Sequence, residues 1–215
     1  IYGFPGDGSA TDPFVISGMG FNAAGTSYGI LVKDTTLHLL IQDCLVFNTS
    51  GSSQGFSLQN VRNLQIQGCI AREQDHGLYL QSMSQGLRIL DNDFSRSRLS
   101  GITLNNADDC RIVGNDCSQS GRWGIVVGWS LTVSEGLTIT DNDCSGHGMY
   151  GIAVEMLRNG TVARNDVSSI QQTSISGVYL FGGTTGTSIS DNDCRENEHG
   201  ILISGFSNGN NISNN

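Results

Sequence analysis

The stretch GITLNNADDCRIVGNDC, residues 101–117, decides the fold. It opens with a Gly-apolar-x-apolar box, Gly101-Ile102-Thr103-Leu104, and after a polar turn enters a second short strand that ends at Asn115-Asp116-Cys117. Within each strand apolar and polar residues alternate, which is the period of a strand and not of a helix. Working outward, the box recurs at Gly29-Ile30-Leu31-Val32, Gly55-Phe56-Ser57-Leu58, Gly77-Leu78-Tyr79-Leu80, Gly124-Ile125-Val126-Val127, Gly151-Ile152-Ala153-Val154, Gly177-Val178-Tyr179-Leu180 and Gly200-Ile201-Leu202-Ile203. Successive box glycines are 26, 22, 24, 23, 27, 26 and 23 residues apart. A period of that length marks a solenoid, in which equivalent positions stack into columns.

The second strand identifies the type of solenoid. Ile41, Ile66, Ile89, Ile112, Ile139, Val162, Ile189 and Ile212 are equivalent. Three residues later come Cys44, Cys69, Asn92, Asn115, Asn142, Asn165, Asn192 and Asn215, and two further on Val46, Ala71, Phe94, Cys117, Cys144, Val167 and Cys194. Stacked Asn amides can hydrogen-bond from coil to coil, and Asn tolerates the left-handed backbone that a sharp bend requires. The expectation is an all-β, single-stranded right-handed parallel β-helix. It has about eight coils of 22–27 residues and an internal Asn ladder. Residues 1–13, which hold both prolines, read as an irregular lead-in, and 14–215 as the helix. The chain stops in mid-coil at Ile212-Ser213-Asn214-Asn215, so further coils, a cap or another subunit are expected at that end.

The chain has 215 residues and a net charge of −9, with Lys33 as its only lysine beside ten arginines. That balance argues against nucleic acid, which is held by Lys/Arg contacts to phosphate. No apolar run is long enough to span a membrane. The six cysteines, Cys44, Cys69, Cys110, Cys117, Cys144 and Cys194, show no metal-binding spacing and read as buried free thiols. Asn48-Thr49-Ser50, Asn159-Gly160-Thr161 and Asn211-Ile212-Ser213 match the N-glycosylation sequon, a weak and frequent pattern.

The opening Gly6-Asp7-Gly8-Ser9-Ala10-Thr11-Asp12-Pro13-Phe14-Val15-Ile16 and the repeated Ile-x-Asp-Asn-Asp-Cys and Gly-Ile-x-Leu units resemble the NosD-type and carbohydrate-binding/sugar-hydrolase β-helix superfamily. The resemblance covers nearly the whole chain. It implies an extracellular, periplasmic or cell-surface protein with a glycan-related role, while fold alone does not assign an activity. No Met/His/Cys cluster suited to copper stands out in the sequence.

Two surface columns could carry chemistry. The first is an acidic ridge, Asp93, Asp116, Asp143, Asp166 and Asp193, with a second row at Asp43, Asp91, Asp141 and Asp191. Neighbouring carboxylates about 4.8 Å apart repel by roughly 0.9 kcal/mol in water, so the ridge is a candidate Ca²⁺ site. The alternative is that each Asp accepts local backbone hydrogen bonds. The second column is the outward face of the Gly-box strands, where rings alternate with amides. Its candidate glycan-binding residues are His76, Tyr79, Gln81, Trp123, Tyr150, Glu155 and Tyr179. Candidate catalytic residues are Asp75, His76, Tyr79 and Arg98, where an Asp–His pair could supply a base and Tyr an acid. A second cluster joins Tyr150, Glu155 and Arg158 near Trp123 and Trp129. Insertions at 128–135 and 169–175 flank these strands. The expected function is a non-catalytic surface or glycan-binding module whose partners are a polysaccharide or other copies of itself. The alternative is a polysaccharide lyase or epimerase acting on an anionic glycan.

Overall fold

The structure is a computed structural model, and it describes residues 3–48, 53–128, 132–169 and 175–215. The described residues contain no helix. The isoleucine strands form one nine-stranded parallel sheet, running from Phe14–Ser17 to Asn211–Ser213. The Gly-box strands form a second, eight-stranded parallel sheet, running from Tyr28–Thr35 to His199–Ile203. A smaller sheet of Ser84–Gln85, Ala107–Asp108, Ser134–Glu135 and Leu157–Arg158 lies at the turn between them. The chain therefore winds as a right-handed parallel β-helix, the hand that parallel crossovers adopt.

Register follows from burial. Ile41, Ile66, Ile89, Ile112, Ile139, Val162 and Ile189 pair rung to rung in one column, and each is fully buried. A slip of one residue would turn this column to solvent. Each buried side chain contributes about 1.5–3 kcal/mol of apolar transfer, so the column sets the alignment of every coil. All six cysteines are free, and all but the half-buried Cys194 lie in the core.

The Asn ladder is continuous from Asn92 to Asn215. Nδ2 of Asn92, Asn115, Asn142 and Asn165 donates to Oδ1 of the next Asn at 2.9 Å, and Asn192 donates to Asn215 at 2.7 Å. The second hydrogen of each amide goes to a core-strand carbonyl, as in Asn115 to Ile89 at 2.9 Å. Cys69 continues the column by donating its backbone N–H to Asn92 Oδ1.

One expectation is corrected. The left-handed residue at this bend is not the ladder Asn but the residue before it. Asp43, Gly68, Asp91, Gly114, Asp141, Arg164, Asp191 and Asn214 all have φ between 53° and 69°. The second acidic row is thus a backbone requirement, since Asp, Asn and Gly accept this conformation most readily. The box glycines serve a different need, close approach. A Cβ on Gly77 would sit 2.4 Å from Phe94 Cβ, and one on Gly101 would sit 2.5 Å from Cys117 Cβ.

Candidate functional site

The outward face of the Gly-box sheet is not an evenly solvated surface. Position −1 of the box stacks His76, Ser100, Trp123 and Tyr150 on consecutive rungs. Position +2 stacks Tyr79, Thr103, Val126 and Ala153. Ser100, Val126 and Ala153 are buried although they point outward, because the large rings beside them roof the small residues.

His76, Tyr79, Thr103, Asn105, Trp123 and Val126 line a notch of about 230 Å³ on this face. Its polar groups are tightly interlinked. His76 Nδ1 lies 2.7 Å from Ser100 Oγ and 3.1 Å from Thr103 Oγ1, and the two hydroxyls are 2.6 Å apart. His76 Nε2 carries no hydrogen bond to a described residue. Burial pushes the imidazole below its ordinary value, against the opposing pull of Asp75. The rings of His76 and Tyr79 are 4.9 Å apart, and Asn105 Nδ2 donates to Tyr79 Oη at 3.3 Å.

The catalytic candidates come together only in part. Asp75 does not orient His76, because its carboxylate accepts Arg98 Nε at 2.7 Å. Glu155 lies three rungs from His76, about 14 Å at the spacing of neighbouring strands. Gln81 is held by Gln59 Nε2 at 2.8 Å. Tyr150, Tyr179 and Phe181 form a second aromatic group, with centroid separations of 4.9 and 4.6 Å, and Tyr179 Oη lies 2.9 Å from Ser204 Oγ. Arg158 sits in the small third sheet, paired with Glu135. Trp129, with residues 129–131 of the first insertion and 170–174 of the second, lies outside the described residues, as do Thr49 and Ser50 of the first sequon.

Ser100, Thr103 and Asn105 were not among the residues the sequence singled out for the site. Their signal was present as a change of size within a column, ring to hydroxyl to ring.

On the acidic ridge, the five aspartates stack in register. Each Oδ1 accepts the backbone N–H two residues on, from Ser95, Ser118, Ser145, Ser168 or Arg195, at 2.9–3.2 Å. Arg72 pairs with Asp93 and Arg195 with Asp193. At Asp93, burial works upward but is outweighed by Arg72 and Ser95, and the carboxyl falls below its ordinary value. Among the described residues no three His, Cys, Asp or Glu side chains converge as a metal site.

The family model described as "Periplasmic copper-binding protein (NosD)" matches residues 20–130 and 46–215. No curated protein matches the chain. Among solved structures, a point mutant of the periplasmic alginate epimerase AlgG superimposes with a TM-score of 0.68 at 16% identity, over 91% of this chain and 57% of that one. The Azotobacter vinelandii mannuronan C-5 epimerase AlgE6 A-module gives 0.56 at 17% identity, over 89% and 61%. The chain thus spans little more than half of each neighbour's length, and at these identities the likeness establishes the fold.

Proposed function

The chain belongs to the NosD family, and on that premise we propose that it is a glycan-binding β-helix module that uses the outward face of its Gly-box sheet. It lies outside the cytoplasm, as the periplasmic family does. The observation that carries the proposal is the notch between His76–Tyr79 and Trp123, which continues into the stacked Tyr150–Tyr179–Phe181 group. Flat apolar rings beside a few convergent polar groups suit sugar rings, which have apolar faces and hydroxyl edges. The first test is glycan-array binding by the intact chain. Saturable binding lost in Trp123→Ala and Tyr79→Ala supports the proposal, and no binding to any glycan overturns it.

A second reading, turnover of an anionic glycan by a lyase or epimerase, is favoured by one observation. Burial disfavours the charged form of the His76 imidazole, which packs 4.9 Å from the Tyr79 ring, and the two are components of an acid–base pair. Such chemistry also needs a cation to meet the sugar carboxylate, and Arg98 is engaged by Asp75. Incubation with alginate and pectate, followed by assay for unsaturated or epimerised products, tests it.

Copper does not enter the proposal, because the donors present do not fit it. Among the described residues no three His, Cys, Asp or Glu side chains converge as a ligand set, and five of the six thiols are buried in the core.

A further inference from the structure

We propose that the notch is a subsite for one uncharged, hydroxylated sugar ring, and that the Asn105 amide is its specificity-determining group. This rests on the glycan-binding reading and deepens it by naming the class of sugar.

The shape comes first. In the −1 column a ring on the His76 rung and a ring on the Trp123 rung flank a single serine, Ser100. The two flanking rungs are about 10 Å apart, twice the spacing of neighbouring strands. Ser100 adds no large side chain of its own and is fully buried under these rings, and the notch opens beside it over Thr103, Asn105 and Val126. The volume of this open notch, about 230 Å³, falls below the roughly 300–1,000 Å³ of sites for drug-sized ligands and cofactors. It suits one ring of a chain whose remaining units lie along the open face.

Hydrogen bonding decides the chemistry. Ser100, Thr103 and His76 Nδ1 satisfy one another, and Tyr79 Oη receives the Asn105 amide. Asn105 Oδ1 has no partner, although the residue is only 8% exposed. A buried unsatisfied carbonyl costs about 1–3 kcal/mol and calls for an explanation. The other end of the amide can face the notch equally well, since its oxygen and nitrogen interchange by a flip. A sugar hydroxyl satisfies either orientation, because it both donates and accepts. A carboxylate can only accept, so it satisfies the amide in the flipped orientation alone and leaves the Oδ1 orientation unpaired.

Charge points the same way. Arg98 is bound to Asp75, and none of the described residues lining the notch is a lysine or arginine. Arg122 rests against the Trp123 ring, 5.7 Å from its centroid, but is exposed and does not line the notch. A uronate entering the notch would lose its hydration with no cation to replace it.

The test is titration of the full chain, by tryptophan fluorescence, with neutral polymers (mannan, cellulose oligomers, β-1,3-glucan) and with uronate polymers (alginate, polygalacturonate). The expected result is saturable binding of a neutral polymer, weakened about tenfold by Asn105→Ala, as the loss of one buried hydrogen bond implies, and abolished by Trp123→Ala. Thermal melts verify that each variant folds. If Asn105→Ala does not fold, competition on the unaltered protein replaces it: millimolar methyl glycosides of neutral hexoses displace the polymer, and glucuronate does not. Preference for uronates overturns the inference and leaves the glycan-binding reading intact. So does an Asn105→Ala affinity within twofold of the parent while Trp123→Ala loses binding. Binding to neither class overturns both.

Discussion

Asn142 Nδ2 donates to Asn165 Oδ1 at 2.9 Å, while Asn142 Oδ1 accepts both the backbone N–H and the Nδ2 of Asn115. One side chain thus closes hydrogen bonds to the coil before it and the coil after it. Replacing it with Ala strands two buried donors on Asn115, while Asn165 Oδ1 keeps only the backbone N–H of residue 142. The expected loss for Asn142→Ala is about 2–4 kcal/mol, measured by urea unfolding. A substitution of similar size on the exposed turn, Gln119→Ala, is expected to change stability by less than about 0.5 kcal/mol.

Gly101 tests the close approach at the corner. Gly101→Ala brings a methyl within 2.5 Å of Cys117 Cβ, and overpacking of this kind costs about 1–3 kcal/mol. Adding Cys117→Gly to that variant is expected to restore part of the melting temperature. The recovery is incomplete because the Gly124 carbonyl, 2.9 Å away, still crowds the new methyl.

Stability is expected to fall in two stages as pH is lowered. Burial depresses His147 in the folded state, opposed by its hydrogen bond to the Cys144 carbonyl and by Asp166, and burial depresses His76 as well. Below the ordinary histidine value of 6.5 the unfolded chain takes up protons that these folded imidazoles resist. Their contribution is therefore whole above 6.5 and declines as pH drops toward the folded values. Arg164 lowers Asp141 and Arg195 lowers Asp193, and their contribution is lost in a second stage below 3.8. Thermal melts from pH 8 to pH 3 check both stages. His147→Gln flattens the first; a profile flat from pH 7 to pH 5 in the parent protein would contradict the assignment.

The ridge aspartates act on the backbone. Asp143→Ala removes the acceptor for Ser145 N–H and is expected to cost about 1 kcal/mol. Asp143→Asn keeps an acceptor, relieves like-charge repulsion and should be neutral or slightly stabilising. Melts in Ca²⁺ and in EDTA separate this role from ion binding. Equal costs in both identify the turn, whereas a cost that appears only with Ca²⁺ identifies a bound ion.

Most of the fold was legible because it is periodic. The isoleucine column and the Asn ladder recur at every coil, so each repeat corroborates the next. The left-handed column was misplaced by one residue, since Asp, Asn and Gly crowd the same bend and composition alone does not say which of them carries positive φ. The site was less legible for two physical reasons. Asp75 and His76 are adjacent in sequence, yet neighbours on an extended chain point apart, and Asp75 turns instead to Arg98 one coil on. The notch exists only once the register places Ser100 between His76 and Trp123, a relationship across three coils that no local motif records.

Each coil touches only the coil above and the coil below, so the Asn ladder makes the molecule a line of nearest-neighbour couplings. Opening one rung exposes fresh edges on both sides and lowers the cost of opening the next. Loss of structure should therefore travel as a front along the rod from whichever rung opens first, and amide exchange should be correlated between neighbouring coils. A defect placed in a middle coil creates two new fronts and divides one cooperative rod into two shorter ones.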